Sequence, residues 1–371
     1  MKKGRVIKKE LSEFSLWEKI YRNNMLIDIE LELTARCNNN CRHCYINLPP
    51  GDEKTKEEEL TFEEILKFTD EAVSLGAMGC LITGGEPLLR KDFFDIYIAL
   101  KKKGLLLSVF TNATLITEKH IELFKKYPPR ELEVSVYGVT PETYGRVTRN
   151  PSSFNSFLKG VDLLIKNNIK TTFKAMALRS NVHELPLISK FSNIRTAGSF
   201  RYDYLLHLRF DGNEKRNREI VKERLIPEEI VKLEKSDPKR FSAMKRECSD
   251  ILIDGEPNDE IKDVLFRCGA GVGTCTIGYN GTLRLCSSLW HPDCIYDLRK
   301  GSLTDAYNNF IPKVRNMRST NKNYFKKCGR CEIINLCLWC PAHAHLETGF
   351  LDEPSDSFCE VAKARVEMFN K

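Results

Sequence analysis

Three cysteines, Cys37, Cys41 and Cys44, stand in the run Thr34-Ala-Arg-Cys-Asn-Asn-Asn-Cys-Arg-His-Cys-Tyr45, separated by three and then two residues. Three thiolates do not close a four-ligand metal site. They can hold three corners of an iron–sulfur cube and leave the fourth iron open for chemistry. The competing reading is a zinc site completed by His43.

The cysteine arithmetic extends the argument. The chain has 14 cysteines. Three fall within 37–44, nine within 268–359, and only Cys80 and Cys248 stand apart. Core packing would scatter them. The basic N-terminus lacks the apolar stretch of a signal peptide, and no apolar run reaches the roughly 20 residues of a membrane span. A cytoplasmic location without a membrane partner is expected, where thiols stay reduced and ligation is favoured over disulfides. Charge adds little: 58 basic against 51 acidic residues gives +7, with both signs interspersed. No nucleic-acid partner is indicated.

The elements that must position the first cluster come from an alternation of short apolar runs and amphipathic stretches. Strands are expected at Ile27–Leu33, Gly79–Thr83, Leu105–Phe110, Glu131–Val136, Lys170–Ala177 and Phe200–Leu206. Helices are expected at Thr61–Leu75, Asp92–Lys102, Glu118–Lys126, Phe154–Asn167 and His183–Phe191. Strand–helix alternation implies a parallel sheet, open or closed. The unusual residues fall just past the strands: the cysteines after the first, Thr83-Gly-Gly-Glu-Pro87 after the second, Thr111-Asn-Ala-Thr114 after the third, Tyr137-Gly-Val-Thr-Pro141 after the fourth. In a β/α barrel these ends form the active face. The polar stretch Pro49–Glu59 reads as a mobile loop.

The pattern Cys37-x3-Cys41-x2-Cys44-Tyr45, followed by Gly84-Gly85-Glu86-Pro87, resembles the radical S-adenosylmethionine (SAM) superfamily over residues 26–210. The resemblance implies a partial (β/α)6 TIM-like barrel and a [4Fe–4S] cluster on the three cysteines. It also implies S-adenosylmethionine at the open iron and an external one-electron donor such as flavodoxin or ferredoxin. It assigns Tyr45 to adenine, the Gly84-Gly85 turn and Glu86 to the amino end of the cosubstrate, and Thr111, Asn112 and Ser135 to its ribose and carboxylate.

The second cysteine group is Cys268-x6-Cys275-x10-Cys286, then Cys328-x2-Cys331-x5-Cys337-x2-Cys340-x18-Cys359. Asn280-Gly281 is a strong two-residue hairpin turn. Paired structural zinc sites are the bland reading of this group. The pattern resembles the SPASM domain of peptide-modifying radical enzymes, with two residues in the last short gap where three are usual. That resemblance implies a first auxiliary [4Fe–4S] cluster on Cys268, Cys275, Cys286 and Cys340. The second would sit on Cys328, Cys331, Cys337 and Cys359, making three clusters in all. Cys294 could replace a first-cluster ligand, whereas Cys80 and Cys248 read as plain thiols.

The expected organisation is an N-terminal extension (1–25), the barrel (26–210), a connecting helical segment (211–265) and a small cysteine-rich module with a β-hairpin and little other regular structure (266–371). The expected activity is hydrogen abstraction from a peptide, a ribosomally made precursor, leading to a crosslink, thioether or oxidation. The first 25 residues are too few for a leader-binding domain, so a separate protein or the barrel surface would read any leader. Haem or quinone cofactor synthesis is the alternative substrate class. A cysteine-rich electron carrier or zinc-stabilised binding protein is the alternative outside catalysis. Arg146, Arg149, Asn181, Asp203, Tyr204 and His207 are further candidates near the strand ends, and His343 and His345 lie beside Cys340.

Overall fold

The computed structural model describes residues 20, 22, 25–196, 200–248 and 263–370. The expected extension 1–25 and the end of the connecting segment fall largely outside them. Six parallel strands follow one another in sequence order: β1 (Asp28–Thr34), β2 (Gly79–Gly84), β3 (Leu106–Thr111), β4 (Glu131–Ser135), β5 (Thr171–Met176) and β6 (Arg201–Asp203). With successive strands adjacent, right-handed crossovers put every helix on the same face of the sheet. The other face becomes the lumen of an open, partial barrel, and the expected (β/α)6 architecture is borne out.

Between the strands run α1 (Glu53–Glu58), α2 (Phe62–Ser74), α3 (Phe93–Lys102), α4 (Glu118–Lys126), α5 (Pro141–Thr148), α6 (Ser153–Lys166) and α7 (Leu185–Arg195). The capping box expected at α2 is present, with the Glu64 amide donating to Thr61 Oγ1 and the Thr61 amide donating to the Glu64 carboxylate. Helix α5, begun by Thr140 and Pro141, had no counterpart among the expected helices.

The stretch Pro49–Glu59 is not the mobile loop expected. It folds as α1, N-capped by Asp52, and delivers Glu59 to the root of the cysteine loop. There Glu59 accepts from Arg36 Nε at 2.7 Å and Arg36 Nη2 at 3.0 Å, and from the Thr34 hydroxyl. A forked guanidinium–carboxylate pair of this kind sets direction as well as energy.

The C-terminal segment also departs from expectation. The Asn280-Gly281 hairpin forms between β7 (Thr274–Ile277) and β8 (Thr282–Arg284), with Gly281 at φ +80°. It does not stand apart from the barrel, because β7 pairs in parallel with β1 and extends the same sheet to the order β6-β5-β4-β3-β2-β1-β7-β8-β9, with β9 at Tyr296–Asp297. Helices at Pro341–Thr348 and Asp356–Phe369 add regular structure that the cysteine-rich composition concealed.

One apolar core runs through both parts, from Leu31, Ile82 and Val109 to Ile277, Leu283 and Tyr307. Among the described residues no helix is long and apolar enough to cross a membrane.

The Gly84-Gly85 pair is explained by packing. Gly84 has φ +121°, and a Cβ on Gly85 would lie 2.3 Å from Arg36 O and 2.7 Å from Ala35 O. The end of β2 thus presses against the backbone that starts the cysteine loop. Gly85→Ala is expected to cost about 2–4 kcal/mol, in the range of a strained backbone or overpacked site. Urea denaturation measures it; an unchanged midpoint would show that the two backbones are not in contact.

Candidate active site

Strand alternation decides what faces the lumen. In β1 the residues Ile29, Leu31 and Leu33 join the apolar core under the helices, so Glu30, Glu32 and Thr34 point the other way. The same rule turns Glu133 and Ser135 of β4, Lys174 and Met176 of β5 and Asp203 of β6 toward one cavity of about 320 Å³. Its wall also holds Cys37, Cys41, Cys44, Tyr45, Thr111, Asn112 and His207. Most of the residues assigned from sequence therefore meet in one place.

The cysteine loop closes on itself and then on its neighbours. Leu48 N donates to Ala35 O (2.8 Å) and Cys37 N to Leu48 O (2.9 Å). From α5 and its exit, Asn40 N reaches Thr148 O (2.9 Å) and Arg42 N reaches Val147 O (3.0 Å), while Asn150 Nδ2 donates to Asn38 O (2.9 Å). Arg209 Nη1 donates to the Asn47 carbonyl (3.1 Å) and Arg216 Nη2 to Cys41 O (2.8 Å).

Two amides already point at sulfur: Asn39 N at Cys37 Sγ and Asn47 N at Cys44 Sγ, both 3.4 Å. Asn112 Nδ2 lies 3.7 Å from Cys37 Sγ. Such donors stabilise negative charge on ligating sulfur. Burial raises the Cys37 and Cys41 thiols, so their deprotonation depends on the positive charge of bound metal. Among the described residues no three His, Cys, Asp or Glu side chains converge on a single ion. A cube needs no such convergence, since each thiolate meets its own iron; this donor set fits a cluster. His43 is packed edge-on against Tyr137 (4.9 Å between centroids), and burial lowers its pKa to about 3.

Glu86 stands just past the end of β2. It is fully buried, and its carboxylate accepts from Thr111 Oγ1 (2.8 Å), Asn112 N (2.7 Å) and Leu88 N (3.2 Å). It clamps the end of β3 to the turn after β2, where Pro87 opens a 3-10 turn. These donors let Glu86 hold Thr111 and Asn112 at the cavity. Burial raises the Glu86 pKa to about 7 despite these donors.

Of the other candidates, Asp203 and His207 line the cavity and His207 Nε2 lies 3.0 Å from His343 Nε2. Tyr204 turns away to the Glu234 carboxylate, and Arg149 pairs with Glu219 at 2.7 Å. Arg146 is absent from the cavity wall, and its carbonyl accepts from Arg42. Asn181 is a turn residue, accepting from Leu178 N and donating to Tyr137 O and Met176 O. His345 Nδ1 donates locally to Gly349 O at 3.2 Å.

The carboxylates Glu30, Glu32 and Glu133 and the cation Lys174 were not anticipated as site residues. The signal was the strict alternation Asp28-Ile-Glu-Leu-Glu-Leu-Thr34, which also describes a half-solvated strand. Glu32 pairs with Arg284 at 2.7 Å with both side chains wholly buried, and the Arg284 guanidinium stacks 3.6 Å over the Trp290 ring. Glu30, beside them, accepts from Thr276 Oγ1 at 3.1 Å.

Residues 31–191 match the family model described as Radical SAM superfamily. This is a radical SAM domain. Such a domain binds one [4Fe–4S] cluster and S-adenosylmethionine, which agrees with the donor set at Cys37, Cys41 and Cys44.

The chain is 27% identical to a protein named AdoMet-dependent heme synthase from Methanosarcina barkeri, over 88% of this chain and 94% of that one. It is also 27% identical to the antilisterial bacteriocin subtilosin biosynthesis protein AlbA of Bacillus subtilis, over 49% of this chain and 40% of AlbA. Among solved structures, Streptococcus suis SuiB bound to its precursor peptide SuiA superposes with a TM-score of 0.66 at 14% identity. That superposition covers 96% of this chain and 83% of SuiB, and shows a shared fold beyond the radical SAM domain.

The buried carboxylates give the molecule a pH signature. Desolvation, then the Glu32 charge, raises Glu30 from the ordinary 4.5 to about 7. Its contribution to stability is complete below about pH 4.5 and is lost as pH rises through 7, because the folded state holds a proton that the unfolded chain releases. Glu30→Gln is expected to gain roughly 3 kcal/mol relative to the parent between pH 5 and pH 8. Paired urea titrations at the two pH values read it, and an equal effect at both would show that Glu30 ionises normally.

Proposed function

We propose that this radical SAM enzyme holds its cluster on Cys37, Cys41 and Cys44 and takes hydrogen from a peptide, a ribosomally made precursor that gains a crosslink, thioether or oxidation. The observation that carries the reading is the meeting of the three thiols with Tyr45, Thr111, Asn112 and Ser135 on one cavity. When bound, the reduced cluster supplies the electron that splits S-adenosylmethionine into methionine and the 5′-deoxyadenosyl radical, which abstracts the hydrogen.

The chain's own residues hold and orient. Arg36 and Glu59 fix the loop root, and Asn39, Asn47 and Asn112 direct donors at sulfur. Tyr45 is half-buried beside His207, and its ring is available to the adenine. The C-terminal thiols are read as holding two further [4Fe–4S] clusters, the outer on Cys328, Cys331, Cys337 and Cys359. An external one-electron donor (flavodoxin or ferredoxin) and a separate leader-binding protein are the partners this reading calls for. Support for a peptide comes from the fold shared with SuiB, whose structure contains a precursor peptide, and from the likeness to AlbA.

A second reading is favoured by one finding: the relative named AdoMet-dependent heme synthase aligns over nearly the whole of both chains. The substrate would then be a carboxylated cofactor precursor whose side chain is decarboxylated or oxidised. Lys174 would be the cation facing its carboxylate in the cavity.

Anaerobic reconstitution should give about twelve irons per chain, and strong reductant with S-adenosylmethionine should release 5′-deoxyadenosine. Replacing Cys37, Cys41 and Cys44 with Ala should abolish that release and leave about eight irons. Zinc in place of iron, or no deoxyadenosine, would overturn the reading. Short peptides encoded beside the gene and carboxylated tetrapyrroles are then offered in parallel. The class that raises deoxyadenosine above the uncoupled rate, with a mass change in that substrate, decides between the two.

A further inference from the structure

Between Asp305 and Glu332 the chain carries seven basic residues and no acid. With 51 acids in 371 residues, a stretch of this length would ordinarily hold about four. Lys313, Arg318, Lys322, Lys326, Lys327 and Arg330 are all exposed, and Arg315 is half-buried. Arg318 pairs with Asp263 (2.9 Å) and Lys327 with Asp356 (3.0 Å). Among the described residues Lys313, Lys322, Lys326 and Arg330 have no ion-pair partner.

The segment is folded against residues 263–268. Val264 and Arg318 form an antiparallel bridge, Tyr324 Oη donates to Val264 O (3.1 Å), and Arg315 Nη1 donates to Cys268 O (3.0 Å). The exposed Arg267 and Cys268 are thereby set beside the cations. The same segment carries the first two thiols of the outer site. Cys328 N donates to Tyr324 O (2.7 Å) at the end of the helix Lys322–Lys327, and Cys331 N donates to Cys328 O (3.3 Å). Ile334 N then reaches Cys331 O (3.3 Å) and Cys337 N reaches Ile334 O (3.1 Å). The helix that bears Cys359 is fastened to these turns at two points, by Asp356 on Lys327 and by Arg365 Nη1 on Leu336 O at 2.6 Å. A continuous set of contacts therefore joins the four thiols into one corner of the fold. All four are half-buried, and the exposed cations border them.

The radical site offers no such surface. Its thiols line the cavity. Around its loop Arg42 donates to Arg146 O (2.7 Å), Arg149 and Arg216 pair with Glu219, and Arg209 pairs with Asp211. Arg146 is the exposed cation there whose side chain carries no ion pair among the described residues. Unpaired charge concentrated on one face speeds the encounter with an oppositely charged partner and orients its approach.

We propose that the surface of Lys313, Lys322, Lys326 and Arg330 is the docking site of an acidic one-electron carrier, and that the electron enters at the outer site of Cys328, Cys331, Cys337 and Cys359. The proposal rests on the reading that the C-terminal thiols hold [4Fe–4S] clusters, and adds where the first electron arrives. One electron passes in each encounter. A flavodoxin goes from anionic hydroquinone to neutral semiquinone, the oxidised outer cluster gains that electron, and no bond is made or broken.

The test uses the full chain reconstituted without oxygen and an acidic flavodoxin in its hydroquinone form. In the chain carrying Cys37→Ala, Cys41→Ala and Cys44→Ala, about eight irons should remain, and stopped-flow absorbance should still show the flavodoxin oxidised by one electron. Adding Lys322→Glu, Lys326→Glu and Arg330→Glu should keep the iron content, slow that oxidation about tenfold or more, and weaken the complex in calorimetric titration by a similar factor. Arg146→Glu in the same background should change neither. Absence of iron in the triple cysteine variant would overturn the C-terminal cluster reading and the docking site with it. Iron without flavodoxin oxidation, or an equal rate in the charge-reversed chain, would overturn the docking site alone. So would a larger loss with Arg146→Glu, which places the carrier at the cysteine loop.

A second measurement leaves every cysteine and every cation in place. With the unsubstituted chain, the rate of reduction by flavodoxin should fall steeply as salt is added, because screening weakens attraction between exposed charges. A flat salt profile would show that charge does not guide the encounter. Tight binding of an oligonucleotide that the three Glu substitutions abolish, with flavodoxin unaffected, would assign the cations to nucleic acid and overturn the proposal.

Discussion

Strand β1 is held on both edges, by β2 and by β7, and presents two unlike faces. Everything that positions the chemistry depends on this one strand. Its outer face, Ile29, Leu31 and Leu33, anchors the apolar core; its inner face carries Glu30, Glu32 and Thr34; its end launches the cysteine loop. The Glu32–Arg284 pair ties the inner face to β8, so barrel and cysteine-rich segment share a sheet, a core and a buried charge pair. Removing one member of such a pair strands the other in a low-dielectric interior, which is what makes the join directional.

From that join follows the polarity of the cavity. A parallel barrel strand usually reads as continuously apolar because both faces are covered. Here alternate positions on β1, β4 and β5 are charged, and they put Glu30, Glu133 and Lys174 on the wall of the chamber beside the cluster loop. The loop itself is held almost wholly by backbone contacts and by arginines and asparagines arriving from α5 and from the segment after β6. The thiols therefore sit on a frame assembled from four distant parts of the chain.

Much of the fold was legible in advance. The six barrel strands lie within about two residues of their expected bounds, except for the shorter β6, because apolar runs bounded by Gly, Asn and charged residues carry their own limits. What failed did so for identifiable reasons. Pro49–Glu59 looked like solvent-exposed linker because its single structural duty, the Glu59 contact to Arg36, falls on residues 23 apart in sequence. Nothing local to Glu86 reveals that its donors lie mostly on the next strand and its turn. Gly84 and Gly85 line the cavity, and they also make room for the backbone of residues 34–36, which lies far from them in the sequence.

The sequence by itself determined the chemistry that the chain can carry. Ligand type and spacing are local, and three cysteines with gaps of three and two, followed by Gly84-Gly85-Glu86-Pro87, point to an open iron cluster. Only the tertiary structure decided which groups surround that cluster and which cysteines can act together. Cys275 and Cys286 are near neighbours along a hairpin, and spacing alone makes them partners. The pleat sets Cys275 in the apolar layer under the helices, opposite to Thr276, and the two residues after Cys286 line the cavity. Which face a side chain takes depends on the register of a strand against its neighbours, and register is set by contacts between residues far apart in the chain.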